Sequence, residues 1–226
     1  MTTACILRVD QLGKTYRSGA ERHAVLDRLD LDVHAGEFIA VIGRSGSGKS
    51  TLLNLVGQMD TPSAGRIEFT GVDTASWDDD TRTRFRRREI GFVFQAYNLL
   101  PTLTVRENIA LPLELNGLPF NPRLGAIMHA LDLTALGDRY PDQISGGEQQ
   151  RTAIARALVH APPLVIADEP TGNLDHDTAL DVIRLFEQAA REAGAALLMA
   201  THSTEMVGRA DRVLMLRHGR LEAQSA

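Results

Sequence analysis

A glycine-rich stretch, GRSGSGKST at residues 43–51, constrains the fold more than any other segment of the chain. The apolar run Phe38 to Ile42 precedes it, and apolar side chains at helical spacing follow it between Ser50 and Met59. The stretch fits the pattern G-x-x-x-x-G-K-S/T, in which glycines let several backbone N–H groups face one phosphate chain at the start of a helix. This order predicts a buried strand, a nucleotide-phosphate loop and a helix.

The lysine in this loop stands out because the chain contains two lysines and 22 arginines. An ammonium is a compact point charge, whereas a guanidinium is a planar fork of donors, so we expect Lys49 near the β- and γ-phosphates. The hydroxyl of Ser50 is a candidate ligand of Mg²⁺. The other residues predicted to surround the phosphates are Gly43, Arg44, Ser45, Gly46, Ser47, Gly48 and Thr51.

A second apolar run, Leu164 to Ala167, ends in two carboxylates, Asp168 and Glu169. Ligands of parallel sheets bind beyond the carboxyl ends of the strands, so Asp168 is predicted to meet the Mg²⁺ held by Ser50. Glu169, one residue further, is the candidate general base or water-positioning group. Two solvated carboxylates are the alternative, which the phosphate loop upstream disfavours.

Three single residues have more than one interpretation on sequence grounds. His202 follows the apolar run at residues 196–200. It is interpreted either as a structural histidine or as a contact to the γ-phosphate. Gln95 follows another apolar run, and its amide could reach Mg²⁺ or the attacking water. Tyr16 could stack on an adenine ring or pack in the core or at its rim.

Composition limits the remaining possibilities. The net charge of −5 argues weakly against a general nucleic-acid binder, and a single cysteine excludes an internal disulfide and agrees with a reducing compartment. No apolar run approaches the length of a membrane span. Strands alternating with helices in the first and last thirds predict an α/β fold with a mostly parallel sheet. Residues from about 74 to 158 are predicted to be mostly helical. The arginine cluster at residues 82–88 is interpreted as a solvated helix face, with a contact to anionic lipid headgroups or acidic partner loops as the alternative.

Together with Ser145-Gly146-Gly147-Glu148-Gln149, these segments resemble the nucleotide-binding subunit of ATP-binding cassette (ABC) transporters. The resemblance covers nearly the whole chain and follows the family's order. Tyr16 matches the adenine-stacking aromatic, Gly43 to Ser50 matches the Walker A loop, and Gln95 matches the Q-loop. Ser145 to Gln149 matches the signature, and Leu164 to Glu169 matches the Walker B strand. Asn173 to Asp175 matches the D-loop, and His202 matches the switch histidine.

The resemblance implies a P-loop NTPase cassette: a RecA-like, mostly parallel sheet core, an N-terminal antiparallel β subdomain and an inserted helical subdomain. The core and β subdomain would take about residues 1–95 and 159–226, and the helical signature subdomain about 96–158. The implied cofactors are ATP and Mg²⁺, with Ser50, Gln95 and Asp168 as metal ligands. The resemblance also implies that the catalytic residues are Lys49, Gln95, Glu169 and His202. It implies further contacts to the nucleotide from Ser145, Gly146, Gly147, Glu148 and Asp175.

Finer features resemble one branch of the family. The stretches at residues 92–101 and 167–175 look like the lipoprotein-releasing, macrolide-exporter and cell-division ATPases. This implies a second copy of the chain in an ATP-sandwich dimer, and a membrane permease that contacts residues 97–105 of the helical subdomain. The implied location is the cytoplasmic face of the bacterial inner membrane. Ile144 and Glu148 depart from the commoner leucine and glutamine of the signature.

Ser145 is also predicted to cap a helix whose apolar Ile154 and Leu158 face the core. Gly146 and Gly147 would keep side chains away from the N–H groups at that helix start. The resemblance to the family implies that this helix start meets the γ-phosphate bound to the second copy. One alternative function is a soluble ABC ATPase of DNA repair or translation, but these usually carry a long coiled-coil insertion or two cassettes. A small-molecule kinase is another, and it would not need the signature.

Overall fold

The structure is a computed structural model that describes residues 4–18, 21–120, 122–203 and 207–224. The chain divides into two compact units, residues 1–86 with 196–226, and residues 87–195. Each unit carries part of the predicted motifs.

The bounds of β3 and β8 coincide with the predicted apolar runs, and other elements are longer or shorter than predicted. The described strands are β1 Cys5–Ser18, β2 Glu21–His34, β3 Phe38–Ile42, β4 Ala64–Phe69, β5 Val72–Asp73, β6 Ile90–Phe94, β7 Leu164–Asp168, β8 Ala196–Ala200, β9 Arg212–Arg217 and β10 Arg220–Ala223. The described α-helices are α1 Lys49–Val56, α2 Asp79–Glu89, α3 Val105–Leu115, α4 Arg123–Ala130, α5 Gly146–Leu158 and α6 His176–Glu192.

In the first unit, β1, β2, β4 and β5 form an antiparallel sheet in the order β2-β1-β4-β5. The period-two pattern of β2 places Leu29, Leu31 and Val33 in the core, while Asp30 and Asp32 are exposed. Strand β1 is longer than the predicted run at residues 6–9, because its pairing with β2 continues through register shifts after Val9. These four strands form the predicted antiparallel β region.

The same unit contains a parallel arrangement around β3, which pairs with β8 on one side and β9 on the other. Strands with neighbours on both sides and packing on both faces consist of near-continuous apolar residues. Accordingly, every residue of β8 is buried, as are residues 38–41 of β3. Helix α1 packs against β8 through the side of the helix that carries buried Leu52 and Leu55.

The second unit combines the parallel pair β6 and β7 with helices α3, α4, α5 and α6. Helix α5 contacts α3, α6 and β6, so it is the centre of this unit. Its buried Ile154 and Leu158 confirm the predicted apolar face. The stretch predicted to be mostly helical also contains β6, whose Ile90 and Val93 are buried.

The arginine cluster lies on α2, and the interpretation of a solvated face holds for only part of it. Arg84 and Arg88 are exposed. Arg86 instead donates to the carbonyl oxygen of Gln58 (2.6 Å), and Arg87 donates to the side-chain oxygen of Asn116 (3.1 Å). The prediction is therefore wrong for these two arginines, whose guanidinium groups hold neighbouring segments in place.

Candidate nucleotide-binding site

The predicted phosphate loop connects β3 to α1, as the sequence pattern requires. Gly48 occupies the N-cap of α1 with a φ of +106°, a conformation that side-chain-bearing residues rarely adopt. A Cβ at this position would also lie 3.0 Å from a methyl carbon of Val25. The loop residues Arg44, Ser45 and Gly46 are exposed. The start of α1, with its positive dipole end, is therefore preceded by an open, glycine-dependent loop suited to an anion.

Lys49 and His202 are brought together at this loop. The Lys49 side chain is buried, and its Nζ donates to the carbonyl oxygen of Gly43 (3.0 Å) and lies 3.1 Å from Nε2 of His202. Because an ammonium only donates, Nε2 accepts this bond and the imidazole carries its proton on Nδ1. Two residues predicted to be catalytic thus share one hydrogen-bond network, 153 positions apart in the sequence.

Tyr16 lies on the surface of the antiparallel sheet with 41% of its area exposed. Its hydroxyl donates to Oδ2 of Asp60 (2.9 Å), and Nζ of Lys14 lies 4.8 Å from the centre of its ring. Burial and the hydrogen bond to Asp60 raise the pKa of Tyr16. Lys14 and Asp60 contribute contacts that the motifs do not predict, and the scarcity of lysine is the one sequence signal that points to Lys14.

In the second unit, the ends of two neighbouring strands carry the predicted acidic and amide groups. Phe94 pairs with Asp168 in the parallel ladder of β6 and β7, so Gln95 and Glu169 follow adjacent strands at the same edge. Glu169 has a φ of +48°, in the left-handed region that is unfavourable for residues other than glycine. Such local strain is concentrated at functional positions.

The Q-loop and D-loop residues of this unit are joined by two reciprocal hydrogen bonds. Nε2 of Gln95 donates to Oδ1 of Asn173 (3.0 Å), and Nδ2 of Asn173 donates to the backbone oxygen of Gln95 (3.0 Å). Gln95 uses its amide nitrogen and its backbone oxygen in this pair, and its amide oxygen takes part in neither of the two hydrogen bonds. Asp175 accepts from the N–H of Thr178 (3.1 Å) at the start of α6, and this bond lowers the pKa of Asp175.

Ser145 caps α5 as predicted. Its Oγ accepts from the N–H of Glu148 (3.4 Å) and donates to the Glu148 carboxylate (2.9 Å), which also accepts from the N–H of Ser145 (2.7 Å). The bond from the Ser145 N–H lowers the pKa of Glu148. The first N–H groups of any α-helix have no acceptor within the helix, so the start of α5 is chemically suited to an anion, and this role of Gly146 and Gly147 stays a prediction.

The glycines of the signature have a second role in packing. A Cβ on Gly147 would lie 2.5 Å from Cγ2 of Thr178 on α6, and one on Gly146 would lie 3.0 Å from the hydroxyl of Tyr97. The prediction that these glycines serve anion access is therefore incomplete, because Gly147 also lets α5 approach α6.

The proposed metal ligands all offer oxygen, the atom that Mg²⁺ prefers. The hydroxyl of Ser50 is exposed in the first turn of α1, and the carboxylate of Asp168 is half-buried at the end of β7. The amide oxygen of Gln95 completes the set. The donor chemistry fits Mg²⁺, and the assignment of these three ligands stays a prediction.

The glycine-rich loop between β3 and α1, with its buried lysine, has the form of a P-loop nucleotide-binding cassette. The family model described as ABC transporter matches residues 26–172. The chain belongs to the ABC transporter family.

Several curated proteins are similar over almost the whole chain. An uncharacterized ABC transporter ATP-binding protein of Mycobacterium tuberculosis is 48% identical, over 96% of this chain and 88% of its own length. The lipoprotein-releasing system ATP-binding protein LolD of Xanthomonas campestris pv. campestris is 42% identical, over 96% of this chain and 92% of its own length. The macrolide export ATP-binding/permease protein MacB of Brucella melitensis is 42% identical over 98% of this chain, which spans 34% of that larger protein.

Solved structures give the same result for the fold. The dimeric structure of MJ0796, a bacterial ABC transporter cassette, has a TM-score of 0.86 at 37% identity and covers 96% of this chain and 97% of its own. A dimeric post-hydrolysis state of MJ0796 bound to ADP and Pi also has a TM-score of 0.86, at 35% identity, and covers 97% of this chain and 98% of its own. The likeness to MJ0796 confirms the predicted fold class, and the similarity to LolD and MacB confirms the predicted branch of lipoprotein-releasing and macrolide-exporter ATPases. Within the described ranges, no helix is both long and apolar enough to span a bilayer.

Proposed function

We propose that this chain binds and hydrolyses ATP as one of two cassettes that close around nucleotide and drive a partner membrane permease. The observation that carries the proposal is the phosphate loop, where the buried ammonium of Lys49 lies between the Gly43 carbonyl and His202 at the start of α1. The positive end of a helix dipole and a nearby ammonium both attract an anion. A nucleotide triphosphate supplies that anion.

The roles of the site residues follow from their positions. Lys49 and the loop amides bind the β- and γ-phosphates, and Tyr16 supports the base. Glu169 takes a proton from the attacking water, while Gln95 and His202 orient the water and the γ-phosphate. Mg²⁺, held by Ser50, Asp168 and Gln95, would neutralise the charge that develops on the phosphates.

The dimer and the permease use the second unit. The N–H groups at the start of α5 would bind the γ-phosphate held by the other copy, with Ser145, Glu148 and Asp175 beside it. We assign the permease contact to residues 97–105, where Leu100 is exposed and Leu99 and Leu103 are half-buried. We assign the helical signature subdomain to about residues 96–158, and the core and β subdomain to about residues 1–95 and 159–226.

The similarity to LolD and MacB suggests which kind of transport this chain powers. Those proteins are named for lipoprotein release and macrolide export. We propose that this chain likewise powers export or extraction by a permease, from the cytoplasmic face of the bacterial inner membrane. A role in DNA repair or translation is disfavoured, since these relatives are transporter ATP-binding proteins and the net charge is −5.

The substitution Glu169→Gln tests the proposal because it removes the base and keeps the shape of the side chain. We expect ATP affinity within about twofold of the original chain and a loss of hydrolysis of about 100-fold or more, the usual contribution of general base catalysis. The measurements are fluorescent ATP-analogue binding and phosphate release. Glu222→Gln, at an exposed position of β10, is the matched control. Retention of most hydrolysis by Glu169→Gln would reject the assigned base.

A further inference from the structure

We propose that Lys14 and Asp60 are positioning residues that fix the Tyr16 ring as a platform for the nucleotide base. The proposal rests on the base contact of Tyr16 given above, and it adds two residues that neither touch the phosphates nor belong to a motif of the site. All three residues lie in the first unit.

The Lys14 ammonium is held by two acceptors on one segment. Its Nζ donates to Oδ1 of Asp60 (2.6 Å) and to the backbone oxygen of Thr61 (2.7 Å), and its side chain is only 9% exposed. A buried charge of this kind is stable only when its partners satisfy it, as they do here. The short distances and the low exposure make this pair unlike the exposed ion pairs elsewhere on the same sheet.

The Asp60 carboxylate connects this ammonium to Tyr16. One oxygen accepts from Lys14, and the other accepts from the Tyr16 hydroxyl (2.9 Å). Burial opposes ionisation of the carboxyl, but the hydrogen bonds from Lys14, the Thr61 N–H and Tyr16 lower the pKa of Asp60. Asp60 is therefore a fixed, ionised bridge.

The ring of Tyr16 is consequently held by its strand, by Asp60 and by Lys14, and its hydroxyl also has a hydrogen bond with the side chain of Thr51. Its backbone belongs to β1, its hydroxyl is bound to Asp60, and Nζ of Lys14 lies 4.8 Å from the ring centre, within the range of a cation–π contact. Lys14 and Tyr16 both donate to Asp60, so their side chains lie on the same side of β1. The ring remains 41% exposed, so it offers area to a base while its orientation is set in advance.

The same bridge relates the platform to the phosphate loop. Asp60 follows α1, and the N–H groups of Met59 and Asp60 donate to the carbonyl oxygen of Asn54 in that helix (2.8 Å and 3.3 Å). Since α1 begins at Lys49, the carboxylate fixes the ring relative to the helix whose start binds the phosphates. A base stacks best when its ring partner is already at the right distance from the phosphates, because less conformational freedom is lost on binding.

Lysine suits this position better than arginine. One compact ammonium donates here to two oxygens of adjacent residues at 2.6 Å and 2.7 Å, whereas a planar guanidinium spreads its donors over a wider fork. This gives a reason for the second lysine in a chain that otherwise uses 22 arginines.

The experiment compares binding of ATP with binding of inorganic tripolyphosphate, which has phosphates and no base, to Lys14→Met. We expect ATP to bind about 5- to 20-fold more weakly, while tripolyphosphate binds as to the original chain, because only base stacking is impaired. Asp60→Asn should give the same selective loss and serves if Lys14→Met does not fold. Tyr16→Phe keeps the ring and the ion pair, so a smaller selective loss, about 2- to 5-fold, is expected.

Asp10→Asn is the matched control, since it breaks the Asp10–Arg66 ion pair (2.8 Å) between β1 and β4 without contact to Tyr16. Equal weakening of both ligands by Lys14→Met and Asp60→Asn, or no weakening of ATP, would overturn the positioning role. Tyr16→Ala separates this failure from one of the proposed function. If Tyr16→Ala weakens ATP alone, the base platform stands without its positioning pair; if it does not, Tyr16 is not the base contact.

Discussion

At the scale of single residues, three buried ionisable side chains lead to testable statements about binding and stability. The only two lysines of the chain, Lys14 and Lys49, are both buried, and each is bound to acceptors near the proposed nucleotide. Desolvation makes such positions costly, so each must be satisfied by named partners. His160 is a third buried group, at the end of the core helix α5, and it has no part in the proposed chemistry.

His160 predicts a pH dependence of stability. Burial lowers its pKa to about 4, from about 6.5 in an unfolded chain. Between these values the unfolded chain binds a proton that the folded chain does not, so stability falls as the pH falls from about 7.5. We expect the free energy of unfolding to decrease by about 2 kcal/mol between pH 7.5 and pH 5, as measured by urea titration at both pH values.

The variant His160→Phe should remove this part of the pH dependence, because phenylalanine stays neutral in both states. His129→Gln, at an exposed position of α4, is the control and should leave the pH dependence unchanged. An equal loss of stability on acidification in the original chain and in His160→Phe would assign the effect to other groups.

At the scale of elements, α5 joins several functions in one helix. It is capped by Ser145, packs on α6 through Gly147, and contributes Arg156, which donates to the carbonyl oxygens of Tyr97 (3.0 Å) and Asn98 (2.7 Å). Tyr97 and Asn98 both have left-handed φ values, so the guanidinium stabilises a strained stretch of the proposed permease contact. The helix thus links that stretch directly to the signature.

The capping boxes that begin α5 and α3 in the second unit provide a matched test of the signature. Ser145 with Glu148 begins α5, and Thr104 with Glu107 begins α3 by the same arrangement. Replacing either cap by alanine should cost about 1 kcal/mol of stability. Only Ser145→Ala should also reduce ATP hydrolysis, by about 10-fold or more, because only the start of α5 is proposed to bind the γ-phosphate held by the second copy.

The measurements are urea unfolding and phosphate release by the chain without a permease. If Ser145→Ala and Thr104→Ala lose stability equally and retain equal hydrolysis, Ser145 is a helix cap and has no part in catalysis.

The starts of elements were predictable because local chemistry determines them. The glycine loop placed the start of α1, the serine of the signature placed the start of α5, and the apolar run of β8 was predicted to the residue. Contacts between distant segments, such as Asp60 with Tyr16 or Gly147 with Thr178, leave no periodic trace in a single sequence. These contacts depend on how elements pack, which local patterns do not specify.

At the scale of the whole molecule, the family and fold were predictable because seven motifs occur in a fixed order along the chain. The roles of the site residues remain predictions, since the phosphate loop belongs to one compact unit and the signature and strand-end carboxylates to the other. Half of each proposed catalytic site would come from a second copy. A complete catalytic site therefore requires two copies of the chain to associate, and we expect this association to depend on the γ-phosphate of ATP.

Glu169→Gln should sediment as a dimer with Mg²⁺ and ATP and as a monomer with ADP or without nucleotide, because hydrolysis no longer removes the γ-phosphate that joins the copies. Combining Glu169→Gln with Lys49→Ala should restore the monomer in ATP, since the phosphates lose their cation. A chain that stays monomeric in every nucleotide would contradict the proposed dimer of isolated subunits. Dimerisation that persists in ADP would show instead that the contact between copies does not sense the γ-phosphate.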